Sequence, residues 1–261
     1  MGVIAPAIPP RVPIGAALFL DFDGTLVPIA QRPQDVHVAG WVVPTLGRLQ
    51  QALDGALAIV SGRPLDDIDE FLHPLVLPGA GAHGAERRAA SGLIELRRAE
   101  APADLVRCAD ALAARHPGLI LERKPGGFAL HFRLAPEWGK MCHEVLADAL
   151  ARSPADALVW ELLSGHCVCE LKQRGVSKGK AVQSYLAEPP FVGRVPVFIG
   201  DDVTDEDGIV AVQAAGGFGI RVGPGSTQAR FGLQDTDAVA SWLQAAAGAT
   251  GARNGGERHE A

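Results

Sequence analysis

The stretch Leu18-Phe19-Leu20-Asp21-Phe22-Asp23-Gly24-Thr25-Leu26 decides the fold of this chain. The apolar residues at its start continue a run that begins at Ala16, which is typical of a buried strand in a parallel sheet. Because residues i and i+2 of an extended chain point to the same side, Asp21 and Asp23 can share one site. In open α/β sheets, ligands bind outside the carboxyl ends of the strands. The stretch therefore predicts a functional site at the end of this strand.

The composition and charge of the chain limit what it can bind. Of its 261 residues, 48% are hydrophobic and 21% are charged, and the net charge is −6. There is no basic stripe of the kind that binds nucleic acid, no run near the ~20 apolar residues of a membrane span, and no secretory signal. The four cysteines fit neither a disulfide framework nor a zinc site. We therefore expect a cytoplasmic protein that acts on a small molecule, without nucleic-acid or membrane partners. We also expect a monomer, although composition and charge do not decide the oligomeric state.

Two later strand ends repeat the pattern of the first. Residues 56–60 form an apolar strand that ends in Ser61-Gly62-Arg63-Pro64; the proline suits the first turn of a helix, whose N-terminus attracts phosphate. Residues 195–199 form another strand, which ends in Gly200-Asp201-Asp202. Lys178 stands at the start of a predicted helix between these two strands. Because the carboxyl ends of parallel strands lie on one edge of the sheet, we expect these residues to meet there.

Residues 89–173 interrupt this alternation of strand and helix. A helix followed by a hairpin occurs twice in them, which predicts an inserted α+β domain of antiparallel strands. Residues 15–88 and 174–247 then form a Rossmann-like α/β core, with a parallel sheet flanked by helices. Residues 1–14, which contain four prolines, predict a disordered N-terminal arm, and residues 248–261 predict a flexible C-terminal tail.

The three strand ends together fit phosphoryl transfer to a carboxylate. Asp21 would attack phosphorus and form an aspartyl phosphate. Asp23, kept protonated, would donate its proton to the leaving alkoxide and afterwards accept a proton from water. Asp21, Asp201 and the backbone carbonyl of Asp23 would hold Mg2+, which prefers oxygen ligands.

The phosphoryl oxygens need positive charge and hydrogen-bond donors. Lys178, the hydroxyl of Ser61 and the N–H groups of the Gly62-Arg63 turn would supply them. Each residue alone has a structural explanation, because an aspartate before glycine is a common turn residue, Ser-Gly is a common loop and a single lysine is usually solvated. Their joint occurrence in this order, each at a predicted strand or helix end, favours the phosphoryl-transfer site.

These motifs resemble those of the haloacid dehalogenase (HAD) superfamily of phosphohydrolases, whose first motif is DxDGT. From about residue 18 to 245, the chain is similar to one family within it, the trehalose-6-phosphate phosphatases. The segments that carry this likeness are LDFDGTL at 20–26, VSGRP at 60–64, GAHGAE at 81–86, ERKPGGFALHFRLAP at 122–136, GHCVCELKQRGVSKGKAV at 165–182, FIGDDVTDED at 198–207 and VGPGSTQA at 222–229. DxDGT alone indicates only the superfamily, whereas GDDxTDE together with the HFR strand is more specific.

The resemblance implies an activity and roles for residues of the core. It implies an HAD core whose inserted cap domain closes over the phosphatase site and grips the sugar. The implied activity is Mg2+-dependent hydrolysis of trehalose 6-phosphate to trehalose and phosphate, a step of trehalose biosynthesis. By position, Asp21 is the nucleophile, Asp23 the acid/base and Asp201 a metal ligand. Asp202 and Asp205 would support the metal site or Lys178.

The resemblance also implies which cap residues bind the sugar phosphate. By position these are Glu122, Lys124, Arg133 and Glu170. Carboxylates can accept hydrogen bonds from sugar hydroxyls, and arginine or lysine can hold phosphate. A charged solvent face of a small sheet is the alternative interpretation. His83 and His131 lie in family-like segments without a catalytic role, and His131 is interpreted as a packed strand residue.

Two other functions stay open. The family usually has lysine where this chain has His166, which could donate to a sugar hydroxyl or be an ordinary loop residue. This departure leaves room for a phosphatase of the same fold that acts on another sugar phosphate. The second alternative is a non-catalytic sugar-phosphate sensor, which predicts the loss of Asp21, Asp23 or Lys178. All three are present.

Overall fold

The computed structural model describes residues 7–96, 99–165 and 167–251, which form two sheets with their helices. The first part of the core contains β1 (Ala16–Leu20), α1 (Val42–Ala52), β2 (Leu57–Val60), α2 (Leu65–Leu72), β3 (Gly79–Gly81), β4 (Glu86–Arg88) and β5 (Ile94–Leu96). The inserted cap domain contains α3 (Ala103–Arg115), β6 (Ile120–Lys124), β7 (Gly127–His131), α4 (Gly139–Ala151), α5 (Pro154–Val159), β8 (Trp160–Gly165) and β9 (Val168–Gln173). The chain returns to the core with α6 (Lys178–Leu186), β10 (Val195–Gly200), α7 (Glu206–Ala214), β11 (Phe218–Val222), β12 (Phe231–Leu233) and α8 (Thr236–Gly251).

The core sheet has the strand order β12-β11-β10-β1-β2-β3-β4-β5. The strands from β12 to β3 pair in parallel, and β4 and β5 are added in antiparallel orientation at one edge. All five residues of β1 are buried between β10 and β2. A strand covered on both faces is apolar throughout, which explains the continuous run before Asp21. The predicted α/β core with a largely parallel sheet is confirmed.

The register brings the ends of three strands to one edge of the core sheet. Leu20, the last residue of β1, is paired with Ile199 of β10 and with Ile59 of β2. The N–H of Asp21 donates to the carbonyl of Ile199 at 3.0 Å, so the pairing continues one residue beyond β1. The residues that follow β1, β2 and β10 therefore leave the sheet side by side, as the sequence predicts.

The cap domain is an antiparallel sheet of order β6-β7-β9-β8 that packs against α3 and α4. Phe128 of β7 and its partner Leu171 of β9 are buried against these helices. Since side chains alternate along a strand, the row Glu122, Ala129 and Glu170 lies on the opposite face of the sheet. Two carboxylates thus flank a small alanine on the face that the helices leave uncovered.

Some local predictions are wrong. The boundary predicted at residue 88 falls too early, because β5 pairs with β4 and belongs to the core sheet. The three residues of β5 are exposed, and an exposed edge strand carries no apolar pattern that ties it to a core. The apolar residues of 157–163 predict one strand of the second cap hairpin. Residues 157–159 are helical instead, because Ser153 caps α5 and Pro154 fits its first turn.

The chain ends also differ from the prediction. The carbonyl of Ala7 accepts from Gly232 N at 2.8 Å and that of Pro10 from Trp242 Nε1 at 2.8 Å, so this part of the predicted disordered arm is bound to the core. α8 continues to Gly251, into the predicted flexible tail. The rest of the arm and tail, residues 1–6 and 252–261, lies outside the described residues, as does His166. None of the helices in the described ranges combines the length and hydropathy that a membrane-spanning helix needs.

Candidate active site

The carboxyl ends of β1 and β10 place three acidic side chains around one lysine. Asp21 follows β1, Asp201 follows β10, and Asp205 lies in the turn before α7. One carboxylate oxygen from each lies within 4.8 Å of the other two. Lys178, the first residue of α6, donates through Nζ to Asp21 Oδ1 at 2.7 Å and to Asp205 Oδ1 at 2.5 Å. The lysine is therefore bonded to the predicted nucleophile across 157 residues of sequence.

Burial shifts the proton equilibria of this cluster. Burial would lower the pKa of Lys178, but the carboxylates of Asp205 and Asp21 raise it above its ordinary value, so the side chain stays an ammonium. Burial and then the charge of Asp205 raise the pKa of Asp21 well above its usual range, against the opposing effect of Lys178. The same two causes raise the pKa of Asp201 to about 7. If all three acids were ionised, one ammonium would leave negative charge without compensation, and this repulsion contributes to the raised pKa values of Asp21 and Asp201.

Such a cluster fits a hard divalent cation. Its donor atoms are all oxygens, which Mg2+ prefers. Asp205 accepts three hydrogen bonds, because its Oδ1 accepts from Lys178 and both lone pairs of its Oδ2 accept from the N–H groups of Asp201 at 3.0 Å and Asp202 at 2.9 Å. Asp21 accepts from Lys178 at Oδ1 and from Thr25 at Oδ2, which leaves a lone pair on each oxygen. Asp21 and Asp201 are therefore the side chains that are better placed to hold the ion. Asp205 and the N–H group of Asp202 fix the loop that carries Asp201.

Gly24 leaves space for the carboxylate of Asp201. Its φ is +79°, and a Cβ built on it would lie 2.1 Å from Oδ2 of Asp201. We expect Gly24→Ala to displace this carboxylate and to lower the affinity for a divalent cation, tested with Mg2+, by about 10- to 100-fold, as for other changes that misplace a metal ligand. Titration calorimetry checks this, with Gly40→Ala as control because an added Cβ there meets nothing within 4 Å. An unchanged Mg2+ affinity in Gly24→Ala would contradict the site.

Asp23 is held by Arg63. The guanidinium donates through Nε to Asp23 Oδ2 at 2.6 Å and through Nη2 to Oδ1 at 2.8 Å, and its Cζ lies 5.1 Å from the ring centre of Phe71. Burial would lower the pKa of Arg63, but Asp23 raises it above its ordinary value. This bidentate contact binds the carboxylate form of Asp23. The proton donation predicted for Asp23 thus requires the pair to open, and Arg63, predicted to bind substrate, is bonded to Asp23 instead.

The turn after β2 is tied to both domains. The hydroxyl oxygen of Ser61, which is buried, accepts from Arg63 N at 3.1 Å. The carbonyl of Gly62 accepts from Nζ of the cap residue Lys124 at 3.1 Å. A Cβ on Gly62 would lie 2.8 Å from Nε2 of His83, so glycine permits the imidazole to lie against this turn.

The cap contributes Lys124 and Glu170 to the same place. Lys124 Nζ donates to Glu170 Oε1 at 3.2 Å, and His83 Nε2 lies 2.9 Å from Glu170 Oε2. Burial would raise the pKa of Glu170, but His83 and Lys124 hold it well below its usual range. Burial would lower the pKa of Lys124, but Glu170 and then Glu122 raise it. The cap thus presents an ionised pair to the core.

Glu122 and His131 form a second such contact within the cap. His131 Nε2 lies 2.7 Å from Glu122 Oε2, which in turn is 3.9 Å from Lys124 Nζ. Burial would raise the pKa of Glu122, but His131 and Lys124 lower it. His131 is therefore not the packed strand residue that the sequence suggested. Its alternation with Ala129 along β7, which places both on one face, was the signal available in the sequence.

One cleft between the core and the cap joins these groups. Most of the described residues that the sequence predicts for the site line this cleft. They are Asp21, Asp23, Ser61, Gly62, Arg63, Glu122, Lys124, Arg133, Glu170, Lys178, Asp201 and Asp202. Asp205 lies behind Lys178, fully buried. His83, His131 and residues 29–33 also line the cleft and were not assigned to it from the sequence.

Comparisons with known proteins show to which family this chain is similar. A family model described as trehalose-phosphatase matches residues 19–237. The chain is 40% identical over 241 residues to the trehalose-6-phosphate phosphatase of Escherichia coli (strain K12), covering 90% of this chain and 88% of that protein. The solved C-terminal domain of a C. albicans trehalose-6-phosphate phosphatase matches with a TM-score of 0.78 at 21% identity, covering 89% of this chain and 92% of that one.

A second solved structure bears on the fold alone. A haloacid dehalogenase-like hydrolase from Bacteroides thetaiotaomicron matches with a TM-score of 0.61 at 15% identity, covering 87% of this chain and 98% of that one. The fold, the family model and the relative at 40% identity all indicate the same family of proteins. This chain therefore has the HAD fold and belongs to the trehalose-phosphatase family.

Proposed function

We propose that this enzyme hydrolyses trehalose 6-phosphate to trehalose and phosphate. The observation that carries the proposal is the single cleft that joins the Asp21–Lys178 pair of the core to Lys124 and Glu170 of the cap. One end offers a nucleophile beside a fixed positive charge, and the other offers carboxylates and an ammonium for a polyhydroxylated sugar. A substrate with a phosphoryl group attached to a sugar matches both ends.

In this proposal Asp21 forms the covalent intermediate. Its Oδ1 is fixed by Lys178, and its Oδ2 accepts from the hydroxyl of Thr25 at 3.3 Å. Attack of a carboxylate oxygen on phosphorus forms an aspartyl phosphate and breaks the bond to the sugar oxygen. Water then attacks the same phosphorus, which releases phosphate and restores Asp21. The ammonium of Lys178, with the N–H groups of the Ser61–Arg63 turn, would balance the charge on the phosphoryl oxygens.

Asp23 moves the proton in both steps. It would donate a proton to the departing sugar oxygen and take one from the attacking water. The bidentate contact with Arg63 fixes Asp23 before the substrate binds. We infer that Arg63 releases Asp23 when the phosphoryl group enters and then helps to bind it, which reconciles the contact with the role predicted for Arg63 in substrate binding.

The cation of this proposal is Mg2+. Asp21, Asp201 and the backbone carbonyl of Asp23 would hold it, and Asp202 and Asp205 would keep the Asp201 loop in place. When bound, the ion neutralises charge on the phosphoryl oxygens. Removal of metal with a chelator should abolish phosphate release, and added Mg2+ should restore it. Full activity in the chelated, metal-free protein would contradict the metal site.

The cap would select the sugar through Glu122, Lys124, Arg133 and Glu170, with His166 as a further candidate. Phosphate release across a panel of sugar phosphates tests this selection. We expect trehalose 6-phosphate to be hydrolysed with a kcat/KM at least about a hundredfold above that of glucose 6-phosphate or sucrose 6-phosphate. A better rate with another member of the panel would overturn the substrate and leave the phosphatase mechanism standing. The monomeric state and the cytoplasmic location remain predictions from the sequence.

A further inference from the structure

The contact between His83 and Glu170 crosses from the core to the cap. His83 lies in the turn between β3 and β4, and Glu170 lies on β9, 87 residues later. Both side chains are nearly buried, with exposed fractions of 8% and 11%. An ionised carboxylate can only accept hydrogen bonds, so Nε2 of His83 carries the proton and donates it to Glu170 Oε2 at 2.9 Å. The bond therefore connects the two domains directly at the cleft.

The backbone and the imidazole of His83 are both in uncommon arrangements. Its φ is +57°, in the left-handed region that residues other than glycine seldom adopt, although histidine enters it more often than most. Its Nδ1 is buried and has no hydrogen-bond partner among the described residues. Glycine or asparagine would satisfy this backbone with less strain. Residues held in such conformations cluster at functional sites, where the surrounding structure maintains them.

A second contact between the domains meets the first at Gly62. Lys124 of the cap donates both to Glu170 and to the carbonyl of Gly62. On the core side, the imidazole of His83 lies so close to Gly62 that any Cβ there would collide with it. We call this set of four residues, His83, Gly62, Lys124 and Glu170, the latch. Its members from the core and from the cap are bonded in pairs, so it forms only when the domains are closed.

We propose that His83 is a positioning residue that docks the closed cap by holding Glu170. The inference rests on the proposed function, because it assigns to the core a part in recognition of the sugar. His83 does not act on phosphorus itself. It fixes one oxygen of Glu170, while Lys124 fixes the other, and the remaining lone pairs of the carboxylate are left for sugar hydroxyls. Closure and alignment of the sugar-binding carboxylate then occur together.

Loss of the latch should weaken substrate binding more than chemistry. If only the form with the closed cap binds the sugar, the apparent dissociation constant for the substrate rises as the fraction of protein in the closed form falls. A substrate without a sugar makes no use of the cap and should be affected less than trehalose 6-phosphate. p-Nitrophenyl phosphate is such a substrate, and its hydrolysis reports the core site alone.

Two substitutions at position 83 separate the hydrogen bond from the backbone. His83→Asn suits a positive φ, but its amide nitrogen reaches only the place of Nδ1. His83→Gln extends its amide nitrogen towards the place of Nε2 and can still donate to Glu170. We expect His83→Asn to raise the KM for trehalose 6-phosphate by roughly tenfold or more, as expected for a lost hydrogen bond to a charged group. We expect His83→Gln to recover most of that loss, and we expect the fall in kcat/KM for p-nitrophenyl phosphate to be smaller than the fall for trehalose 6-phosphate in both variants.

Small-angle X-ray scattering provides a readout that does not depend on activity. His83→Asn should have a larger radius of gyration than wild type, because the cap opens. His131→Asn is the matched control, since it breaks the contact with Glu122 inside the cap. It should change sugar affinity and leave the radius of gyration at the wild-type value.

Several results would overturn the latch. The first is a KM for trehalose 6-phosphate and a radius of gyration in His83→Asn that both equal those of wild type. The second is an equal rise in this KM in His83→Asn and His83→Gln. The third is a fall in kcat/KM for p-nitrophenyl phosphate as large as that for trehalose 6-phosphate. Failure of the proposed function looks different: the wild-type protein itself would not hydrolyse trehalose 6-phosphate. The scattering comparison would then still decide whether His83 docks the cap.

Discussion

Asp21→Asn is expected to lower the rate of trehalose 6-phosphate hydrolysis by roughly 10^4-fold or more, the size of effect seen when a catalytic nucleophile is removed. The amide keeps the shape of the carboxylate and removes its charge and its nucleophilic oxygen. The fold should be retained, because the substitution removes one of three carboxylates around Lys178 and so relieves repulsion among them. The thermal midpoint of unfolding should stay near that of the wild type or rise slightly.

Asp66→Asn is the matched control for this loss. Asp66 lies in the first turn of α2, which follows the same edge of the sheet, but its side chain is exposed. The same chemical change there should leave kcat within about twofold, since surface substitutions away from special contacts have small effects. Phosphate release measures the activity of both variants, and circular dichroism checks that both retain the fold. Turnover by Asp21→Asn within tenfold of wild type would remove Asp21 from the role of nucleophile.

Lys178→Met is expected to abolish activity and also to destabilise the protein by about 3–5 kcal/mol, because removal of one partner leaves buried charge without compensation. The side chains of Lys178, Asp21 and Asp205 are 3%, 5% and 0% exposed, so water cannot replace the ammonium. Methionine fills a similar volume, which separates loss of charge from loss of packing. Added Mg2+ should recover part of the stability, since a cation beside Asp21 supplies positive charge in place of the ammonium.

Lys180→Met serves as control on the same helix. Lys180 lies two residues further along α6 and is exposed. Its replacement should change the free energy of unfolding by no more than about 0.5 kcal/mol. Urea unfolding of both variants, with and without Mg2+, measures the difference. If Lys178→Met unfolds at the urea concentration of Lys180→Met, the buried ion cluster does not have the energetic role described here.

The core site could be predicted from the sequence because its signals are local. An apolar run shows where a strand is buried, and the polar residues directly after it show where the strand ends. Parallel pairing then brings Asp21, Ser61 and Asp201 to one edge without further information. The sequence could not show that Asp23 is bonded to Arg63, because that contact depends on how two separate turns approach each other across 40 residues.

The contacts between the cap and the core could not be predicted from the sequence for the same reason. Whether Glu170 faces solvent or His83 is decided by how the cap docks, which no periodic pattern encodes. The sequence places residues 94–96 in the cap because its pattern changes after Arg88, although hydrogen bonds to β4 place β5 in the core sheet. α5 was missed because its apolar residues match a strand as well as a helix, and the cap at Ser153 decided between them.

The central claim is that trehalose 6-phosphate transfers its phosphoryl group to Asp21. Acid quenching during turnover, with substrate labelled in the phosphoryl group, shows whether the label is on the protein. Borohydride then releases the phosphate and converts the phosphorylated aspartate to homoserine, which peptide mapping locates. The mechanism predicts a labelled acyl phosphate that is reduced at Asp21 alone and is absent from Asp21→Asn. Rapid release of labelled phosphate with no label on the protein at any quench time, or label at another residue, would contradict it.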